Sequence, residues 1–174
     1  MRKITYGGAA SLDGYFARKN DGMDWLLWSD ELRAVMSKYW GTIDTILMGR
    51  RTYEVSRQTG GGGGGKMRTY VFSRTLSPLS DGNVKIISAD AVDFVRNLKG
   101  EPGKDICLMG GGILAKSLFE AELIDEVGFN IHPVLLGSGI PAIPPMNRQV
   151  DLEIVKSQVF GNGCVLVTYH VKRK

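Results

Sequence analysis

Apolar positions change period along the chain in a regular way. Short runs of apolar and β-branched residues recur at "KITYGGAAS" (3–11), Thr45–Met48, Thr69–Ser73, Val84–Ser88 and Asp105–Met109, and each predicts a strand. Between them the period is helical. Leu32, Val35, Met36, Tyr39 and Trp40 fall on one helix face. Ser29 stands ahead of that face as an N-cap, Asp30 and Glu31 occupy the first turn, and Gly41 closes it. "RRTYEVSR" (50–57), "DAVDFVRNLKG" (90–100) and "GILAKSLFEAEL" (112–123) predict three more helices. The segment 12–25, "LDGYFARKNDGMDW", is rich in Gly, Asp and Asn and predicts a long loop. "EVGFNIHPVLL" (126–136) predicts a strand that Pro133 bends or confines to an edge. "DLEIVKSQVF" and "CVLVTYHVK", joined by Gly-Asn-Gly, predict an antiparallel hairpin.

Strands alternate with helices as far as about residue 135, and a hairpin follows. That order predicts the α/β class: a mostly parallel central sheet with an antiparallel C-terminal hairpin strand. At 174 residues the chain is long enough to bury a full core, and residues 1–174 are read as a single domain. No internal repeat is visible.

Composition is ordinary for a globular protein, with 43% apolar and 23% charged residues. No apolar run is long enough to span a bilayer, so no membrane partner is expected. The start, "MRKITYGGAAS", lacks the apolar stretch of a signal peptide and reads as the first strand of a cytoplasmic protein. The formal net charge is +4, but the basic residues are scattered, with no basic stripe interleaved with aromatics. Nucleic acid is therefore not an expected partner, and a few arginines remain for an anionic small molecule. Cys107 and Cys164 sit in apolar runs and read as buried free thiols. With no CxxC spacing, and His132 and His170 far apart, no metal site is expected.

Glycine-rich turns are the candidate chemistry. An anion needs several backbone N–H groups aimed at one point, which a strand–glycine turn–helix supplies. The hexaglycine Gly60–Gly65 lacks that context and reads as a flexible surface loop. "DICLMGGGILAKSLF" has it: a strand runs into Gly110, Gly111 and Gly112, and a helix opens with Ile113 and Leu114. A tight turn packing helix on strand needs the same glycines. The run is not GxGxxG. In "TILMGRRTYE" a strand ends at Gly49 ahead of Arg50, Arg51 and Thr52, which offer guanidinium forks and a hydroxyl. In "VFSRTL", Ser73 and Arg74 stand at a third strand end, where open α/β sheets bind ligands.

"SLDGYFA", "DTILMGRRTYE", "VFSR", "LMGGGIL", "LIDE", "HPVLLGSGIP" and "VLVTYHV", in this order and over nearly the whole chain, resemble the dihydrofolate reductase-like superfamily. The closer similarity is to the C-terminal reductase domain of bacterial riboflavin biosynthesis deaminase–reductases and its stand-alone relatives. The resemblance implies a three-layer dihydrofolate reductase-like fold, NADPH as cofactor, a small-molecule substrate and a homodimer. It implies that Gly49, Arg50, Arg51 and Thr52 hold cofactor phosphates, and that Ser73 and Arg74 hold the adenosine 2′-phosphate. Gly110, Gly111, Gly112, Ile113 and Leu114 would hold the pyrophosphate, and Ala10 would present backbone to the nicotinamide amide. The reference reaction reduces a ribosylamino-pyrimidine to its ribitylamino form. No zinc-deaminase pattern is present, so a full deaminase–reductase is not expected.

On the substrate side, the acidic residue that folate reductases carry on the first long helix falls here on Arg33, which accepts no hydrogen bond. A folate reductase is thus the lesser alternative, and a non-catalytic nucleotide-binding protein of the same fold is another. Asp13, in "SLDG", is a candidate catalytic residue that orients the substrate or a loop; Asp-Gly also simply makes a turn. Trp25, in "MDW", resembles the loop that closes over the nicotinamide, or packs a loop. Trp28 and Trp40 read as packing and His132 as a structural turn residue. "IPAIPP" (140–145) is a candidate exposed apolar stretch.

Overall fold

All four helices connect parallel strands of one sheet, so each must lie on a face of it. The computed structural model describes residues 1–59, 67–77 and 80–173. In chain order the elements are β1 (Ile4–Ser11), β2 (Tyr15–Ala17), α1 (Asp30–Gly41), β3 (Ile43–Gly49), α2 (Arg50–Gln58), β4 (Arg68–Phe72), β5 (Ser80–Asp81), β6 (Val84–Ile87), α3 (Ala91–Gly100), β7 (Asp105–Met109), α4 (Gly112–Glu120), β8 (Glu126–His132), β9 (Ile140–Pro141), β10 (Leu152–Val159) and β11 (Val165–Val171). The hexaglycine segment lies outside the described residues.

Nine strands form one sheet in the order β10-β11-β8-β1-β7-β3-β4-β6-β5. From β8 to β6 the neighbours run parallel. The β10–β11 hairpin and β5 are antiparallel. Alternate residues of each strand serve opposite faces. Ile4, Tyr6, Leu47, Ile106 and Leu108 join Val95 of α3 and Leu118 of α4 in one core. Ile46, Met48, Val71 and Cys107 pack with Tyr53 of α2 on the other face, with Tyr39 and Trp40 of α1 against them. The result is three layers.

Local signals act as their chemistry requires. Ser29 Oγ accepts from Leu32 N–H at 3.2 Å, capping α1. Asp90 caps α3 by accepting from Val92 and Asp93 N–H at 2.9 and 3.0 Å. The strand expected over 126–136 stops at His132, because Pro133 offers no ladder donor and Val134 N–H turns back to the His132 carbonyl at 2.8 Å. The helix expected to reach residue 123 ends at Glu120, where Glu122 adopts φ 57° and Leu123 N–H returns to Leu118. The loop expected over 12–25 contains β2, which pairs antiparallel with β9. Most of "IPAIPP" is thereby used: Ala142 is buried and its carbonyl accepts from Tyr6 Oη at 2.5 Å, while Ile143 remains exposed. No helix among the described residues is long and apolar enough to cross a membrane.

Candidate active site

β3 and β7 are sheet neighbours, so the turns that follow them lie side by side. A Cβ on Gly110 would sit 2.7 Å from Thr52 Oγ1, and one on Gly111 would sit 3.3 Å from the Gly49 nitrogen. Both glycines adopt left-handed φ, 58° and 74°. Only glycine tolerates that conformation and that approach together. Gly49 is the N-cap of α2 and Gly111 the N-cap of α4, and neither helix start receives a side-chain cap. Two sets of first-turn N–H groups therefore lack a side-chain cap at one place, with both helix dipoles adding positive potential.

A cleft of about 590 Å³ opens beside these turns. It forms because β7 pairs with β1 only from Ile4 to Gly7, whereas β8 follows β1 as far as Ser11. Beyond Gly7, one edge of β1 pairs with no strand among the described residues. Ala10, paired with Ile131, lies in that stretch. Arg51 and Thr52 line the cleft with Gly110 and Gly111. Arg50 is turned along the surface, donating to Glu54 and to Thr75 Oγ1, each at 2.7 Å. Ser73 Oγ accepts from the N–H groups of Thr75 and Leu76 at 3.2 and 3.1 Å, so it shapes the turn after β4. Arg74 is exposed in that turn and makes no ion pair among the described residues. Gly112 opens α4. Ile113 points outward, 87% exposed, while Leu114 is buried in the core.

A second cavity, about 330 Å³, lies beneath α1. It meets the cleft at Gly7, Gly8, Ala9, Trp40 and Met109, which line both. A Cβ on Gly7 would come within 1.6 Å of the Gly128 carbonyl oxygen, so β1 and β8 touch here through bare backbone. Trp28, Leu32, Val35 and Met36 form an apolar wall, and alternate residues of β8 (Glu126, Gly128, Asn130, His132) form the facing one. Glu126 accepts from Lys3 Nζ at 2.8 Å and Thr5 Oγ1 at 3.2 Å. Burial raises the pKa of the nearby Tyr39 hydroxyl far above its ordinary value, so it stays protonated.

The sequence missed Glu126 and Asn130 as cavity residues. The signal was present in "EVGFNIH", whose polar residues stand at every second place, the mark of a polar strand face. Arg33 is exposed on α1, its guanidinium 5.7 Å from the Trp28 ring centre, and lines neither space. Trp28 and Trp40, expected only to pack, also line cavity walls.

Neither Asp13 nor Trp25 lines the cleft or the cavity. The Asp13 carboxylate accepts from Leu136 and Gly137 N–H at 3.1 and 2.7 Å and from Ser11 Oγ at 2.6 Å, so it clamps the loop after β8. The Ser11 hydrogen bond, with those from the loop, holds its pKa below the usual carboxylate value. Trp25 is buried edge-on against His132, with ring centres 5.2 Å apart. His132 in turn accepts from Leu27 N–H through Nδ1 at 3.1 Å and lies 2.9 Å from the Asn130 carboxamide through Nε2. Cys107 and Cys164 are buried free thiols; burial pushes Cys107 up to about 11 and raises Cys164.

The chain matches the model of the RibD C-terminal domain family over residues 2–166. It is 31% identical to the uncharacterized protein YyaP of Bacillus subtilis (strain 168), an alignment covering 98% of this chain and 95% of that one. A solved protein from Shewanella sp. PV-4, named for riboflavin biosynthesis, superposes with a TM-score of 0.85 at 26% identity, covering 99% of this chain and all of that one (100%). Dihydrofolate reductase from Enterococcus faecalis, solved with NADP(H), gives a TM-score of 0.70 at 18% identity over 98% of this chain and 97% of its own. That likeness shows the fold, which is dihydrofolate reductase-like.

Proposed function

The chain belongs to the RibD C-terminal domain family, and from that premise we propose that it is an NADPH-dependent reductase of a small heterocyclic substrate, of the riboflavin-pathway type. The observation that carries the proposal is the abutment of the Gly49 and Gly110–Gly111 turns at a cleft that continues, across Gly7–Ala9, into a second cavity. A cradle that one added Cβ would fill, with two uncapped helix starts, fits a dinucleotide pyrophosphate.

Gly49, Arg50, Arg51 and Thr52, with Gly110, Gly111, Gly112, Ile113 and Leu114, would hold the phosphates of NADPH. Ser73 and Arg74 would hold its adenosine 2′-phosphate, and the Ala10 backbone its nicotinamide amide. When bound, NADPH supplies a hydride. The chain's own residues then have three tasks. Arg51 and Arg74 offer guanidinium charge to phosphate. The bare backbone of Gly7–Gly8 lets two flat rings meet without a side chain between them. Trp28, Trp40 and Met36 exclude water from that contact.

The substrate would occupy the cavity beneath α1. A folate reductase is disfavoured because α1 turns Arg33, not a carboxylate, outward at the expected acidic position. By resemblance the protein would act in the cytoplasm as a homodimer. The edge strand β10, with Leu152, Ile154, Val155 and Val159 exposed, is a surface suited to a second copy, and light scattering tests that.

Fluorescence titration with NADPH and NADH, followed by turnover with a ribosylamino-pyrimidine and with dihydrofolate, tests the reading. Tight NADPH binding, preference over NADH and oxidation by the pyrimidine are expected. NADPH binding without oxidation by either substrate would leave the non-catalytic alternative. Absence of NADPH binding would end the proposal.

A further inference from the structure

The cavity beneath α1 contains a carboxamide whose hydrogen bonds do not close within the protein. Leu27 N–H donates to Nδ1 of His132 at 3.1 Å. Nδ1 therefore carries the lone pair, and in the neutral imidazole the proton sits on Nε2. The thiol of Cys164, 3.4 Å from the same Nδ1, is compatible as a second, weak donor. Nε2–H points at the Asn130 carboxamide, 2.9 Å away. A donor must meet an acceptor, so the carboxamide oxygen faces His132 and the amide nitrogen takes the opposite place. That opposite end has no hydrogen-bond partner among the described residues. Asn130 is only 6% exposed and lines the cavity. An unpaired buried donor disfavours the empty state, and an acceptor arriving in the cavity would remove that penalty.

We propose that Asn130 is a specificity-determining residue that offers its amide N–H₂ to a ring carbonyl oxygen of the substrate, with His132 as the residue that fixes the carboxamide's orientation. The site then selects oxo-heterocycles and rejects amino counterparts, which would set donor against donor. The reach is short: Asn130 pairs with Ala9 across β1–β8, beside the junction of cavity and cleft. The carbonyl so held belongs to the ring near the reacting end, not to a remote tail. The inference rests on the cavity being the substrate site.

The test compares uracil with diaminopyrimidine as probes, by calorimetry on the NADPH-loaded protein and again without cofactor. Uracil should bind about tenfold or more tightly than diaminopyrimidine. Asn130→Asp, which keeps shape but removes the donor, should abolish or invert that ratio. Asn130→Ser is the second variant if a buried charge prevents folding, and it should bring the ratio close to one. Nitrogen NMR of His132 should show the Nε2–H tautomer in the free wild-type protein. Equal binding of the two probes, binding of neither, an unchanged ratio in the variants, or the Nδ1–H tautomer would each overturn the proposal. NADPH titration of wild type reports separately on the reductase reading, since the probe ratio is also measured without cofactor.

Discussion

Arg51, in the first turn of α2, pairs across the larger cleft with Asp21 of the loop after β2, at 2.9 Å. Both side chains are well exposed, and Asp21 holds a left-handed φ of 64°. An ion pair of that kind contributes at most about 1 kcal/mol, so a phosphate arriving at Arg51 competes against little. Asp21→Asn is expected to tighten NADPH binding by roughly two- to fivefold and Arg51→Ala to weaken it, with the melting temperature nearly unchanged in both. Fluorescence titration at low and high salt checks this. A clear loss of affinity in Asp21→Asn would show that the pair organises the site instead of competing for it.

Arg74, exposed and without an ion-pair partner among the described residues, should discriminate the two nicotinamide cofactors. Arg74→Ala is expected to cost about 1–3 kcal/mol in NADPH binding and almost nothing in NADH binding. Equal losses for both cofactors would remove Arg74 from the 2′-phosphate.

Gly110→Ala introduces a Cβ 2.7 Å from Thr52 Oγ1 at a φ of 58°. The strain and the displaced hydroxyl together are expected to destabilise the fold by about 1–3 kcal/mol. NADPH affinity should fall as well. The urea midpoint should drop with an unchanged slope. A variant as stable as wild type would mean that the turn relaxes freely.

His132 is buried, and burial lowers its pKa from the ordinary 6.5. The unfolded chain then takes up a proton that the folded protein refuses. Its contribution to stability is complete above pH 6.5 and is lost as the pH falls below that value. The urea midpoint should decline between about pH 7 and pH 5, and His132→Gln should flatten that decline. A wild-type midpoint that rises on acidification contradicts the assignment.

Lys99 is 2% exposed and pairs with Asp125, which also accepts from Ile4 N–H at 2.8 Å and from Arg173 at 2.5 Å. Removing the counter-charge with Asp125→Ala leaves a buried ammonium and is expected to cost about 3–5 kcal/mol. Lys99→Met keeps the volume, leaves Asp125 two partners, and should cost less than half as much. Chemical denaturation of both variants gives the comparison; equal losses would mean that packing rather than charge sets the value.

Local elements were legible from residues close in sequence. The Ser29 cap, the α1 face and the Gly-Asn-Gly hairpin needed nothing beyond their neighbours. β2 and β9 were not legible, because two- and three-residue strands carry no period and exist only through each other. Which loop Asp13 holds was not legible for a related reason. Its partners, Leu136 and Gly137, lie more than a hundred positions away, so its clamp on that loop leaves no local trace.

By itself the sequence determined where the longer strands and helices run, where glycine must stand, and which arginines could meet an anion, since periodicity, capping and backbone sterics act over a few residues. Only the tertiary structure decided that Gly49 and Gly111 touch, that Arg33 faces away, and that Glu126 and Asn130 share a cavity with α1. The physical reason is the strand order: β1, β7 and β3 are neighbours in the sheet but not along the chain. Burial energy gathered over the whole core, and not any local preference, selects that order.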